Sequence, residues 1–359
     1  MERKKYKLSD LLTIKNGKDY KHLEEGNIPV FGSGGYMLSR SSFLYDKPSI
    51  LLPRKGTLSN IQYYNKGKFW TVDTCFYSII NDELCDGYYL YRYLRNLDLS
   101  RYDTGASIPS MTQKTYNKIK VFLPSLPTQQ KISSILSSYD RLIENNTRRI
   151  RLLEQMAENL YKEWFVRFRF PGHENVEMVN GLPKGWKINS LKEICEFKRG
   201  RNITSAEMCD GIIQVISAGV APSGYHNKAN VHGVSVTMSS SGANAGYISI
   251  HYDDIWAADC SYISEKETED IYYVYELLNN IRQVINNFQI GAAQPHVYPK
   301  DINKIKTCVP PKKLRIKANT NISKIHKEIH KLYKQNQLLT RQRDLLLPRL
   351  MSGKLEVKS

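Results

Sequence analysis

The stretch KISSILSSYDRLIENNTRRIRLLEQMAENLYKEW, residues 131–164, decides the architecture. Ile132, Leu136, Tyr139, Ile143, Asn146, Ile150, Leu153, Ala157, Leu160 and Trp164 follow one another at alternating steps of four and three. That spacing lines side chains along one seam of a coiled-coil helix. A shift of 186 residues gives a second seam, Ala318, Ile322, Ile325, Ile329, Leu332, Asn336, Leu339, Arg343, Leu346 and Leu350, with Pro348 close to its last layer. Each seam holds one asparagine, which costs stability in an apolar stripe unless it meets a polar partner. If the helices run antiparallel with paired numbers summing to 482, Ile132 faces Leu350, Ile143 faces Leu339 and Asn146 faces Asn336. The expectation is an intramolecular antiparallel coiled coil, each helix about 30 residues and roughly 50 Å long, its register set by Asn146 and Asn336. The competing arrangement is two helices packed separately, each on its own domain.

The 186-residue offset extends outward from the helices. Gly56 recurs as Gly242, Trp70 and Asp73 as Trp256 and Asp259, Pro109 as Pro295, and the tetrapeptide NKIK at 117–120 again at 303–306. Near the start the offset is 183, aligning Leu8, Leu11 and Gly17 with Leu191, Ile194 and Gly200. An internal repeat of this length means two copies of one architecture. Each copy begins with a part rich in Gly, Ser, Thr and Tyr carrying short apolar runs such as PSILLP and CFYSII, which read as strands and loops. Pro124 to Pro127 and Pro310-Pro311 then break the chain before each helix. The fold class is therefore α+β, with globular domains at 1–127 and 171–311 and helical segments at 128–170 and 312–359.

The chain has 359 residues and a formal charge of +17, distributed as +7, +3, −3 and +10 over those four parts in chain order. Such a balance excludes a typical acidic cytosolic enzyme. The third part is slightly acidic, so nucleic-acid contact there must come from local basic spots such as Lys198, Arg199 and Arg201. The basic last helix reads either as a solvated flank or as a face for phosphates or an acidic partner. Neither a signal-peptide core nor an apolar membrane span is visible, which places the chain in the cytoplasm without a membrane partner. Six scattered cysteines form no Cys-x-x-Cys pair and read as reduced core thiols.

Catalytic motifs fail on inspection. VFGSGGY at 30–36 lacks the third glycine of a dinucleotide loop, and Gly67-Lys68 has Gln62 where a phosphate loop needs glycine. His326 and His330 lie one helical turn apart, but the nearby acid is Glu328, and their place beside Ile325 and Ile329 suggests solvated flank histidines. Asp73 and Asp259 follow tryptophans in both copies, as expected of a repeated structural role rather than a catalytic pair. No catalytic residue and no metal site is expected.

Three peptides are more specific: LPSLPTQQKISSIL (123–136), MAENLYKEWFVRF (156–168) and LLLPRLMSGKLEV (345–357). They closely resemble the specificity subunit of type I restriction-modification enzymes, over essentially the whole chain. One departure is the second linker, CVPPKKLRIKANT, which lacks the Gln-Gln-Lys-Ile of the first copy. The resemblance implies two target-recognition domains separated by two conserved spacer helices, and a non-catalytic subunit. It further implies double-stranded DNA as ligand, read as a bipartite, gapped target. Two methyltransferase subunits, and motor-nuclease restriction subunits where present, are the implied partners. S-adenosylmethionine, ATP and magnesium then belong to those partners, with no cofactor in this chain. A spacer of roughly 50 Å corresponds to at most about 15 base pairs between half-site centres. A coiled-coil scaffold that holds methyltransferases without reading DNA is the alternative.

Base edges need directional donors and acceptors, whereas phosphates need cations. By that criterion the first-copy candidates are Lys18, Tyr20 and Lys21, then Arg54, Lys55, Thr57 and Asn60 around Gly56, and Ser107, Ser110, Thr112 and Lys114 after Gly105. The second-copy candidates are Arg201 and Asn202, Ser240 and Asn244, and Gln294, His296 and Tyr298. A shared frame with Ile108-Pro109-Ser110 in one copy and Gln294-Pro295-His296 in the other suits readers of different bases.

Overall fold

The computed structural model describes residues 2–103, 105, 107–288 and 295–357. The chain divides into two compact units, Met1–Glu144 with Gln337–Ser359, and Asn145–Asn336. Each unit thus combines a globular part with a portion of both long helices.

In the first unit the strands are β1 (Lys4–Lys7), β2 (Leu12–Lys15), β3 (Ile28–Gly32), β4 (Gly35–Arg40), β5 (Ser49–Pro53), β6 (Gln62–Tyr64), β7 (Trp70–Thr71), β8 (Cys75–Ile80) and β9 (Lys120–Leu123). They form a β1-β9 pair, a four-stranded sheet β2-β8-β5-β6 and a three-stranded sheet β4-β3-β7 in which β3 and β7 are parallel. In the second unit a hairpin, β10 (Met178–Val179) and β11 (Leu182–Pro183), precedes β12 (Lys187–Ser190), β13 (Lys198–Arg199), β14 (Ile213–Ile216), β15 (Gly224–His226), β16 (Ser235–Ser239), β17 (Ile248–His251), β18 (Ile255–Ala257), β19 (Cys260–Ser264) and β20 (Lys306–Val309). Its sheets are β12-β20, β13-β19-β16-β17 and β15-β14-β18, with β14 and β18 parallel. The nine strands of the first unit therefore recur in the same order and pairing, and the repeat read from sequence is a repeat of topology.

One helix of each globular part, α1 (Gly87–Arg95) and α3 (Ile271–Asn280), lies against a long helix, α2 (Leu126–Tyr161) or α4 (Lys312–Ser352). The long helices have 36 and 41 residues, more than the expected 30 or so. Helix α2 begins before Pro127 because proline is tolerated in a first turn, where its missing N–H has no intrahelical partner anyway. Helix α4 carries Pro348 within it.

All ten seam positions on each long helix are buried or half-buried. In the first unit Ile132 and Leu136 share a core with Leu346 and Leu350, the partners required by the 482 register, so the layer beside Pro348 forms. In the second unit Ile150 packs with Leu332 and Ile329 with Leu153, again pairs that sum to 482. Asn146 is 4 % exposed, and its Nδ2 donates to Asn336 Oδ1 at 3.0 Å and Gln335 Oε1 at 3.1 Å. The two helices are antiparallel in each unit.

The main cores are built alike. Leu8, Leu11, Tyr89 and Leu90 in the first unit correspond to Leu191, Ile194, Tyr273 and Val274 in the second. Cys75, Cys85, Cys195 and Cys260 are buried, whereas Cys209 is exposed, contrary to the expected core role for every thiol. Its loop, ahead of β14, has no long apolar run that would draw it inward.

Asn336→Ile is expected to cost about 1–3 kcal/mol by taking an acceptor from buried Asn146. Replacing both asparagines by Ile should restore stability in chemical denaturation but loosen register, visible as altered assembly state by light scattering. A second expectation concerns His251, which burial holds down at about 4 from an ordinary 6.5, with Nε2 2.8 Å from Thr237 Oγ1. The unfolded chain binds this proton first, so stability falls as pH drops from about 6.5 towards 4, by at most about 1.4 kcal/mol per pH unit. His251→Gln should flatten that part of a pH series of unfolding midpoints.

Candidate nucleic-acid interface

The frame of the interface is set by a tryptophan and a glycine in each copy. Trp70 Nε1 donates to the Lys18 carbonyl at 2.8 Å, and Trp256 Nε1 to the Arg201 carbonyl at 2.9 Å. The Lys18 and Arg201 amides in turn donate to the Thr71 and Ala257 carbonyls, both at 2.9 Å. The loop lies so close to this strand end that a Cβ on Gly17 would sit 2.0 Å from the Val72 carbonyl oxygen, and one on Gly200 2.3 Å from that of Ala258. Only glycine permits such an approach.

A second matched junction joins the glycine loop to the proline loop. The Gly56 amide donates to Pro109 O at 2.9 Å, and the Gly242 amide to Pro295 O at 3.0 Å. Lys55 and Ser110 form an antiparallel bridge, as do Ser241 and His296, each pair displaced by 186 residues from the other. One backbone arrangement thus presents Lys and Ser in the first copy and Ser and His in the second. That is a common scaffold with unlike donors and acceptors.

In the first unit this junction gathers Arg54, Lys55 and Ser110, with Arg54 and Lys55 exposed. Arg54 Nη1 reaches the Asp73 carbonyl at 3.4 Å, and its guanidinium lies 6.0 Å from the Phe76 ring, which holds an exposed cation in place. Thr57 and Ser107 are exposed on the same loops. Asn60 is half-buried, and its Nδ2 donates to Ser33 O at 2.6 Å. It therefore braces the β3–β4 turn. Thr112 caps the short helix Gln113–Asn117 by accepting from the Thr115 amide at 3.1 Å, and Lys114 is exposed on that helix.

Around Trp70, Lys18 and Lys21 are exposed. Tyr20 is half-buried beneath Arg40, whose guanidinium lies 5.7 Å from the ring centroid. Arg40 was not anticipated, because it sits on β4, far in sequence from the lysine loop.

In the second unit Arg201, Asn202 and Asn244 are exposed. Ser240, by contrast, is 3 % exposed and its hydroxyl oxygen is buried, so it is unsuited to touch DNA in this conformation. The loop leaving β16 turns this side chain inward. His296 and Tyr298 are half-buried, with parallel rings 6.0 Å apart. Gln294 lies outside the described residues. Asp259 accepts from Ser241 Oγ at 2.7 Å and pairs with Arg199 at 3.3 Å, so this repeated aspartate binds side chains, while Asp73 receives Arg54 through its carbonyl.

His326 is 1 % exposed, so the reading of it as a solvated flank histidine is corrected. The tyrosine-rich helix α3 and Tyr252 cover it, a tertiary contact that heptad position does not reveal. His330 is half-buried and stacks on Tyr252 at 4.9 Å. Among the described residues no cluster of three His, Cys, Asp or Glu side chains is placed to hold a metal, and no helix is long and apolar enough to cross a membrane.

Known proteins match this arrangement. A family model described as the type I restriction modification DNA specificity domain matches residues 2–155 and again 183–346. The specificity subunit of the type I restriction enzyme MjaIX from Methanocaldococcus jannaschii is 25 % identical over 354 residues, covering 88 % of this chain and 79 % of that protein. The HindI specificity subunit from Haemophilus influenzae is 23 % identical, over 69 % of this chain and 72 % of its own. The fold is similar to a crystal structure of a type I restriction-modification system S subunit from M. genitalium, with a TM-score of 0.69 at 20 % identity over 97 % of this chain and 96 % of that one. With both of its repeats matched by the family model, the chain belongs to the type I restriction-modification DNA specificity family.

Proposed function

We propose that this chain is the DNA-recognition subunit of a type I restriction-modification complex and reads a gapped target, one half-site per recognition domain. The observation that carries the reading is the matched junction, Lys55 with Ser110 and Ser241 with His296, on one backbone frame. Exposed cations on the loops, Lys18, Lys21, Arg54 and Lys55 in one copy and Arg201 in the other, would hold phosphates. Hydroxyl, amide and imidazole groups would face base edges, where direction of donation discriminates bases.

In this reading the chain performs no chemistry. Two methyltransferase subunits bind it and supply the S-adenosylmethionine site. Motor-nuclease subunits, where present, supply the sites for ATP and magnesium. The complex works on cytoplasmic DNA.

The test is a genome-wide map of methylated bases in cells co-expressing the chain with its methyltransferase. One gapped motif with two unlike halves is expected. An assembled complex that yields no motif would replace this reading with that of a scaffold. Arg54→Ala should weaken DNA binding by about 1 kcal/mol and shallow its salt dependence by about one counterion, measured by titration at several salt concentrations. His296→Ala should relax a base preference in one half-site and leave the other unchanged, read from the same methylation map.

A further inference from the structure

The junction between each recognition domain and its long helix carries a polar pair at the same place, with opposite polarity, buried in the second copy and half-buried at Asp140 in the first. In helix α1 the run Tyr88-Tyr89-Leu90-Tyr91-Arg92 matches Tyr272-Tyr273-Val274-Tyr275-Glu276 of α3, 184 residues later. On the long helices Asp140 matches His326 at the seam's own offset of 186. In the first unit Arg92 pairs with Asp140, and the Tyr88 hydroxyl donates to the same carboxylate. In the second unit Glu276 accepts from His326 Nε2 at 3.1 Å, and the Tyr252 hydroxyl lies 2.8 Å from His326 Nδ1.

Arg92, Glu276 and His326 are all less than a tenth exposed. The donor therefore sits on the recognition domain in one copy and on the long helix in the other. This holds for either charge state of His326. A neutral ring protonated on Nε2 donates to Glu276 and accepts from Tyr252, and a charged ring still donates to Glu276. Burial alone would raise the Asp140 carboxyl, but bonds from Tyr88, Arg343 and Arg92 outweigh it and hold the group below the usual carboxylate range.

A neighbouring rung does not share this inversion. Gln129 accepts from the Asp86 amide at 3.0 Å, and its counterpart Arg315 pairs with Asp270 at 2.8 Å. An aspartate stands on the recognition domain in both copies, so this rung tolerates either module.

We propose that the inverted pairs key each recognition domain to its own long helix: the first accepts only a seat with a carboxylate, the second only a seat with a donor. Misdocking of the first domain on the second helix, within one chain or between two copies, would set Arg92 against His326. The reverse would set Glu276 against Asp140, two carboxylates in a junction only partly open to water. The apolar contacts differ in shape, Leu350 and Met351 standing where the other copy has Trp164 and Phe165, but apolar surfaces repack at smaller cost than a mispaired charge. The keyed pair adds a test of polarity to that difference of shape, and an exchanged domain would need the polarity of its key changed with it.

The test is a double-mutant cycle on the full-length chain in the second unit, E276R, H326D and E276R/H326D, which places the first copy's pair in the second copy's seat. Tyr252 is already positioned to give the carboxylate introduced by H326D the hydroxyl bond that Tyr88 gives Asp140. Each single change should lower Tm by about 6 °C or more, and the double should recover at least half of the combined loss. Recovery of folded, soluble chain in the double alone, where both singles fail to fold, supports the key equally. A double no more stable than the weaker single, or losses that simply add, would overturn it.

Discussion

The apolar seam of the long helices is the constraint on which the rest of the structure depends. A single helix with such a stripe exposes it to water along its whole length, and burial against a partner is what stabilises it. Here the partner of each helix is the other, so each unit needs residues from distant parts of the chain. The first cannot complete its core without Leu346, Leu350 and Met351. Within the seam Asn146 and Asn336 meet, the amide of one donating to the other, a contact that a slipped register would break.

Upon that support, each recognition domain is built from a backbone frame insensitive to the bases it would read. Trp70 and Trp256 tie a loop to a strand end, Gly17 and Gly200 allow the close approach, and Gly56 and Gly242 anchor the proline loops. These contacts are between main-chain groups or from indole to main chain. Side chains at positions 55, 110, 241 and 296 are thereby free to differ. Duplication followed by divergence at such positions produces two readers without disturbing the fold.

Much of this was legible beforehand because it depends on spacing. Heptad positions report which residues share a face, and equal offsets report a repeated topology. The candidate loops were legible as loops, but their individual side chains were not. Asn60 and Thr112 have the right chemistry to contact bases yet are used to brace a turn and cap a helix. Ser240 turns inward, and Arg40 joins Tyr20 from another strand. The glutamine missing from the second linker also found its reason in space: Gln129 braces Asp86, whereas Arg315 pairs with Asp270.

By itself the sequence determined the two-copy plan and the two seams, since these follow from periodicity along one dimension, whereas the antiparallel pairing it left as one of two arrangements was decided in space. It also carried the family membership, through peptides at the helix ends. Only the tertiary structure decided which polar groups are free, which are spent on the fold, and that His326 is enclosed. Those outcomes depend on neighbours brought together from far along the chain, and a side chain's hydrogen-bonding capacity is finite: once Asn60 serves Ser33, or His326 serves Glu276, that donor is no longer available to a ligand.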